Sequence, residues 1–574
     1  MKQAAPLTRR NFLAATGAGL TAAAASPLLY SNQAPVRWER EVDMIIVGSG
    51  AAAFAAAAGA IHLGSSVLML EKAQRPGGTT AKSGGGFWVP NNHHMRRDGF
   101  TDPRPDALKY MARCSYPTRY NPDLPMLGLA PEDFELLEAF YDSASVVTQE
   151  LEETGAFRAS YFLGAKGDMF LDYFSHFPED KAPRGRCLCP AGPDGKALPV
   201  GAEMIRQLHE FASRGEFELR TSHPAQRLVM DEQGRVIGVV AEHQGQELSF
   251  RARKGVIFGT GGFSQNPQMS LNFLRGPIFG GCAVPTNTGD FVAMASTAGA
   301  ALGNMNNAWW AQIVLEEALK NRSVATDAFN LPGDSTILVN RYGKRVVNEK
   351  MVYNERTQAH FYWDPVAGEF PNLLLFMIYD QRTVDNLGAR YSYPVAPAGS
   401  ASPHIITGAT LAELEQGVNQ RLKSLATQLP AGLALYEGFG PQLQNTIERF
   451  NQFAELGVDE DFQRGTHAID QSFQVNTSNG KPNPTLFPIS DRGPYYCVIL
   501  AAGTLDTKGG PRINRHGEVL DNKGAPITGL YGAGNCIASP AAAAYWSGGA
   551  TLGPALTFGY LAAQHAHSAD NMPS

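Results

Sequence analysis

Cysteine is scarce in this chain, with six in 574 residues. So few thiols exclude a disulfide framework as the basis of the fold. Cys187 and Cys189 form a C-x-C within RGRCLCP, but no second pair stands at ligand spacing. No metal is expected, since zinc sites take three or four ligands. No C-x-x-C-H is present, so that route to covalent haem is excluded. Positive charge is not in excess either: 48 Lys and Arg against 54 Asp and Glu leave a net charge of −6 and a pI near 6.1. Nucleic acid is thereby an unsuitable partner. After the first thirty residues no stretch offers the roughly 20 uninterrupted apolar residues of a membrane helix.

What the chain has in quantity is glycine, 60 residues gathered in short clusters without a period. Clustered glycine marks loops in which backbone approaches a ligand closely. The length exceeds one ordinary core and predicts two domains. VDMIIVGSGAAAFAAAAGAIHLGSSVLMLEK opens with an apolar run, Met44 to Val47, that reads as a buried parallel strand. Gly48-x-Gly50-x-x-Ala53 follows, then an Ala-rich helix and a second apolar run ending at Glu71. In that register the helix N-terminus holds a pyrophosphate and the strand-end carboxylate accepts ribose hydroxyls. A dinucleotide site is the reading.

A second glycine-rich loop, RPGGTTAKSGGGFWVPNN, comes directly after the Glu71 strand. Its Gly77, Gly78, Thr79, Thr80, Ser83 and Gly84 resemble the flavin-side loop of the fumarate reductase and ketosteroid dehydrogenase flavoproteins. GVIFGTGGF, which contains Gly261, resembles their return strand to the cofactor. LYGAGN, with Gly534 and Asn535, resembles their C-terminal flavin loop, and Leu552 opens the helix that follows. The resemblance implies FAD as cofactor and an α/β fold: a Rossmann-like FAD-binding domain with an inserted α+β substrate cap. The expected parts are residues 38–283 and 493–574 for the FAD domain and 284–492 for the cap. The segment from His93 to Pro199 reads as irregular and partly helical.

The late stretch YWSGGATLGPALTFGY, residues 545 to 560, and KRVVNEKMVY, with Arg345, Asn348, Glu349 and Tyr353, resemble the FAD-dependent 3-ketosteroid dehydrogenases. A serine two positions after the tyrosine is similar to the type that acts at C4–C5 of 5α-steroids. The resemblance then implies that Tyr545, helped by the Gly549 N–H, holds the C3 carbonyl. Ser547 takes the C4 proton, Tyr353 relays it, and flavin N5 accepts the C5 hydrogen as hydride. A steroid is the implied substrate, with an electron acceptor that the sequence does not name. Three other readings stay open: a C1–C2 ketosteroid dehydrogenase, a fumarate-reductase-like enzyme acting on an unsaturated acid, and a flavin carrier without turnover. LDTKGG has Asp506 where the dicarboxylate reductases have histidine, and Lys508 reads as an anion ligand or a solvated turn residue. His93 and His94 read as a polar loop feature, Trp309 and Trp310 as wall or core.

The first thirty residues resemble a twin-arginine export signal, Thr8-Arg9-Arg10 with Phe12 and Leu13 followed by a weakly apolar stretch. Residues 1–37 are expected to be signal and linker, and the protein to be periplasmic or otherwise exported, or cytoplasmic if the signal does not function.

Overall fold

The structure is a computed structural model that describes residues 37–164, 166–388, 393–472 and 479–569. The twin-arginine stretch lies outside the described residues.

The apolar runs pair as their composition requires. Trp38–Val47 lies parallel between Val67–Leu70 and Gln246–Phe258, and the last of these is parallel to Pro526–Gly532. Phe217–Arg220 extends the sheet beyond Val67–Leu70, and three antiparallel strands complete eight. The register places Val47 beside Leu70 and Phe258, and Phe258 beside Gly532. Four strands therefore end along one line. The residues that follow, Gly48, Glu71, Gly259 and Ala533, share one edge, the carboxyl edge where parallel sheets bind ligands.

Helices Ala51–His62 and Leu552–Ser568 pack face to face over this sheet. The approach is close enough that a Cβ on Gly559 would lie 2.2 Å from the Ala52 carbonyl oxygen. The C-terminal GPALTFGY helix is thus locked to the Ala-rich helix, and the two ends of the chain form one body.

A second, antiparallel sheet contains Ala308–Val314, Thr336–Val339, Leu374–Asp380, Ile405–Gly408 and Tyr495–Thr507. It has its own apolar core, covered by helices Leu411–Leu425 and Phe439–Leu456. Tyr495–Thr507, assigned above to the FAD part, pairs with three strands of the second sheet, because an almost wholly buried thirteen-residue run can be satisfied only between neighbours.

The region from His93 to Pro199 is more regular than expected. It holds helix Arg104–Ser115 and the 23-residue helix Pro131–Glu153, which starts with Pro131, Glu132 and Asp133 and buries Leu136, Leu137, Phe140, Ala144, Val147 and Leu151. A small sheet of Phe87–Trp88, Cys187–Pro190 and Ala159–Tyr161 stands beside it. All six cysteines are free thiols. Among the described residues no helix is long and apolar enough to cross a membrane.

Candidate active site

Two cavities meet at the junction of the sheets. The first, a cleft, runs along the strand ends and is bordered by Gly48, Gly50, Glu71, Gly78, Thr79, Thr80, Gly261, Gly534, Asn535 and Leu552. The backbone here tolerates only glycine: Gly48 has φ +100, and a Cβ on it would sit 2.4 Å from the Gly259 oxygen. With side chains removed, the start of helix Ala51–His62 opens onto the cleft. Its cap residue Gly50 contributes no side-chain hydrogen bond, and the Ala51 N–H donates to Thr80 Oγ1 at 3.1 Å. Ala53 does not border the cleft. Its amide nitrogen would lie 2.8 Å from a Cβ on Gly259, so its small side chain serves close packing of strand and helix.

Glu71 is buried, and burial raises its pKa against hydrogen bonds from Ser49 and the Ala73 amide that lower it. These bonds fix the carboxylate at the strand end, where it can accept further donors. The cleft fits a dinucleotide: amides at a helix N-terminus for phosphate, a strand-end carboxylate for ribose, and a glycine wall for close approach. The sequence reading missed His223, Asn287 and Asp506 on its border. Asp506 accepts from the Gly262 N–H at 2.7 Å, Asn287 Nδ2 at 2.7 Å and Ser264 Oγ at 2.9 Å, and so ties two loops to the end of its own strand. Its TxGG neighbourhood carried a signal, but one tied to another residue type.

The second cavity, about 390 Å³, is walled by Phe162, Phe170, Phe329, Leu505 and the glycines 84 to 86, with Ser83 among them. Thr79, Thr80, Asn535, Thr551 and Leu552 border both cavities. Tyr353, Tyr545 and Gly549 line it, as expected, together with Tyr173, which the sequence reading did not single out. Tyr173 Oη lies 2.9 Å from Tyr353 Oη, and the rings of Tyr173, Tyr353 and Tyr545 stand edge to face with centroids 5.2 to 5.8 Å apart. Each ring is placed by a different element. Tyr353 opens helix Tyr353–Gln358 behind a buried anchor, in which Glu349 binds Arg345 at 2.8 Å and Arg464 at 3.2 Å. The two guanidiniums hold the Glu349 carboxyl down at about 2. Tyr173 is tied through its N–H to the Trp546 carbonyl at 3.0 Å. Trp546 itself is fully buried between Trp88 and Phe140 and donates to Ser115 Oγ.

Burial raises the pKa of all three phenols. Tyr545 is pushed up to about 12, with hydrogen bonds to Tyr353 and Thr551 opposing the shift, while Tyr353 and Tyr173 are raised well above the ordinary value. At neutral pH the site presents three neutral hydroxyls, each able to donate.

Ser547 is not brought to this cavity. The chain bends at Ser547 into the Gly548–Gly549 turn, and the buried side chain donates to the Leu171 carbonyl at 3.4 Å. The turn is held by the Cys187 thiol on the Gly548 carbonyl and by the Trp88 N–H on the Gly549 carbonyl. Lys508 is neither solvated nor an open anion ligand. It is fully buried, donates to the Ala544 carbonyl and sits 4.0 Å over the Trp309 ring. Trp309 belongs to the core, buried with its ring 4.8 Å from that of Tyr545 and its N–H on Asn535.

Residues 43–552 match the family model described as FAD binding domain. The chain is 31% identical to a 4-oxocyclohexanecarboxylate 2-dehydrogenase of Sinomonas cyclohexanicum, over 91% of this chain and 92% of that one. It is 32% identical to a 3-oxosteroid 1-dehydrogenase of Mycolicibacterium smegmatis, over 91% and 97%. Among solved structures it resembles the 3-ketosteroid delta1-dehydrogenase of Sterolibacterium denitrificans in complex with 1,4-androstadiene-3,17-dione, with a TM-score of 0.76 and 28% identity, covering 92% of this chain and all of that one. Glycine turn, strand-end carboxylate and family match agree: the chain belongs to the FAD binding domain family, and FAD is the dinucleotide that the cleft is built to hold.

Proposed function

We propose that this protein is an FAD-dependent dehydrogenase that introduces a double bond next to a ring ketone, with a 3-oxosteroid as substrate and C1–C2 as the position. The observation that carries the reading is the group of three phenols at one end of an aromatic cavity that shares a border with the cofactor cleft. An apolar fused-ring ketone suits such walls, since each buried ring face gains roughly 25 cal/mol per Å² of apolar surface. Neutral Tyr545, with the Gly549 N–H, holds the ketone oxygen and stabilises the negative charge that grows there. That polarisation acidifies the adjacent C–H, so a weak base suffices. Tyr353, in its minor phenolate form, takes the proton at Oη and becomes a neutral phenol, and the phenolate is regenerated by proton release to solvent through the contact with Tyr173 Oη. Bound FAD supplies the acceptor for the hydrogen and electron pair that leave the neighbouring carbon.

The relatives named 3-oxosteroid 1-dehydrogenase support this position, and so does Tyr173 standing as the second hydroxyl of the relay. C4–C5 chemistry asked for a free Ser547 hydroxyl, which here serves Leu171. The second sheet and its helices, in this reading, form the cap that closes the substrate cavity. The twin-arginine stretch directs export of the folded, FAD-loaded protein. Replacing Arg9 and Arg10 by lysine retains activity in the cytoplasm, and unchanged periplasmic activity argues against the signal.

The test is a substrate panel. FAD-loaded enzyme is given a saturated 3-oxosteroid or 4-oxocyclohexanecarboxylate with an artificial electron acceptor, and the product is read by mass and by NMR. Loss of two hydrogens with the new bond at C1–C2 of the steroid is expected. A C4–C5 product overturns the position, and turnover of the cyclohexane acid alone overturns the steroid.

A further inference from the structure

Away from both cavities, three side chains from two helices converge. His93 and His94 open the short helix His93–Arg97, whose start is fixed by Asn92: its side chain accepts from the Met95 N–H and donates to the Val89 and Gly185 carbonyls. Glu152 stands in the last turn of Pro131–Glu153. His93 Nε2 is 2.6 Å and His94 Nε2 2.9 Å from the same carboxylate oxygen, Glu152 Oε2, and all three atoms lie within 4.8 Å of one another. The other oxygen of Glu152 accepts from the Ala159 N–H at 2.8 Å, which sets the orientation of the carboxylate. His94 is buried, and the rings of the histidine pair are 4.3 Å apart.

We propose that His93, His94 and Glu152 form a binding site for a divalent first-row metal ion of the zinc class, with the fourth position left to water. Two imidazole nitrogens and one carboxylate oxygen are a common donor set for such ions. Metal–ligand bonds of about 2.0–2.1 Å in a tetrahedron hold neighbouring donor atoms about 3.3 Å apart. The two nitrogen–oxygen separations, 2.6 and 2.9 Å, need to open by about 0.7 and 0.4 Å to admit an ion, which rotation about the side-chain torsions supplies. The Ala159 amide plays the part of the outer hydrogen bond that fixes a ligand carboxylate. Without an ion, two imidazoles must both direct N–H groups at one oxygen, and the buried Nδ1 of His93 has no hydrogen-bond partner.

The site would staple three segments: helix His93–Arg97, the end of helix Pro131–Glu153, and strand Ala159–Tyr161. That strand leads directly into Phe162, a wall residue of the substrate cavity, and its neighbour Cys187–Pro190 carries Cys187 on the same wall. The ion's role is structural and leaves the three phenols untouched.

The test uses tag-free FAD-loaded enzyme, stripped with EDTA and titrated with Zn²⁺ by calorimetry and with Co²⁺ by absorbance at wavelengths beyond the flavin bands. One ion per chain with a dissociation constant below about 10 μM, the visible band of four-coordinate Co²⁺, and a higher melting temperature on Zn²⁺ addition are expected. His93→Gln and, separately, Glu152→Gln weaken binding at least about 100-fold at unchanged flavin content. Absence of binding up to millimolar Zn²⁺ in the wild type overturns the proposal, as does binding that either variant retains. Should one variant not fold, the other and the wild-type Co²⁺ spectrum still decide, because octahedral or absent Co²⁺ bands refute the site.

Discussion

Ser547→Ala and Tyr353→Phe, made side by side, separate two accounts of where the substrate proton goes. The Ser547 hydroxyl makes one long hydrogen bond, 3.4 Å to the Leu171 carbonyl, and is fully buried away from the cavity. Removing it costs one weak internal hydrogen bond, about 1 kcal/mol at most, and frees no space that water needs to fill. In a chain this long that is a fall in melting temperature of about 2 °C or less. The rate constant for turnover should stay within about threefold of wild type. Tyr353→Phe keeps the ring that packs against Tyr173, Tyr545 and Phe329 and deletes only the hydroxyl 2.9 Å from Tyr173 Oη. Loss of a positioned proton acceptor lowers turnover by about 10²- to 10⁴-fold, equivalent to about 3–5 kcal/mol of barrier. Both variants should purify yellow with wild-type FAD content, so that steady-state turnover of a 3-oxosteroid with an artificial acceptor compares chemistry alone. A Ser547→Ala enzyme slowed 100-fold with FAD and melting temperature intact would refute this reasoning, as would a Tyr353→Phe enzyme near wild type.

Other outcomes follow from the same geometry. Gly48→Ala places a Cβ 2.4 Å from the Gly259 oxygen at φ +100, a cost of about 2–5 kcal/mol that should leave the protein largely without FAD, checked by absorbance of the purified variant. Tyr545→Phe should lower turnover by about 10²- to 10³-fold through lost stabilisation of the ketone oxygen, with a smaller effect on KM, measured by steady-state kinetics. Turnover should climb with pH from 7 to 10: the raised pKa of Tyr353 makes its basic form a minor species whose share grows tenfold per pH unit, while Tyr545, at about 12, stays protonated and keeps donating. A flat or falling profile over that range counts against a phenolate relay.

The cofactor half was legible because its chemistry forces a local pattern. Gly48, Gly50 and Glu71 must occur at fixed offsets around one strand and one helix, so a short window of sequence contains the whole argument. Tyr173 had no such window. It reaches the site only because Trp546, held by Trp88, Phe140 and Ser115, anchors the Tyr173 backbone from more than 370 residues away. Ser547 shows the opposite case. Its spacing from Tyr545 was visible, but the bend that turns it toward Leu171 is set by the glycine turn packing on Phe87 and Trp88. Lys508 shows the same limit, since a charged residue on a glycine-rich stretch reads as solvated unless the ring beneath it is known. The sheet that strand Tyr495–Thr507 joins was not legible, because a continuous apolar run tells that a strand is central, not which sheet it is central to.

That strand also couples the two halves of the molecule. By its hydrogen bonds it belongs to the second sheet, and through Asp506 near its end it holds the loops that border the FAD cleft. The second sheet is therefore tied to the cofactor cleft. Its strand Tyr495–Thr507 carries the carboxylate that holds Gly262, Ser264 and Asn287, so removing the second sheet would also remove that tie from the border of the cofactor cleft.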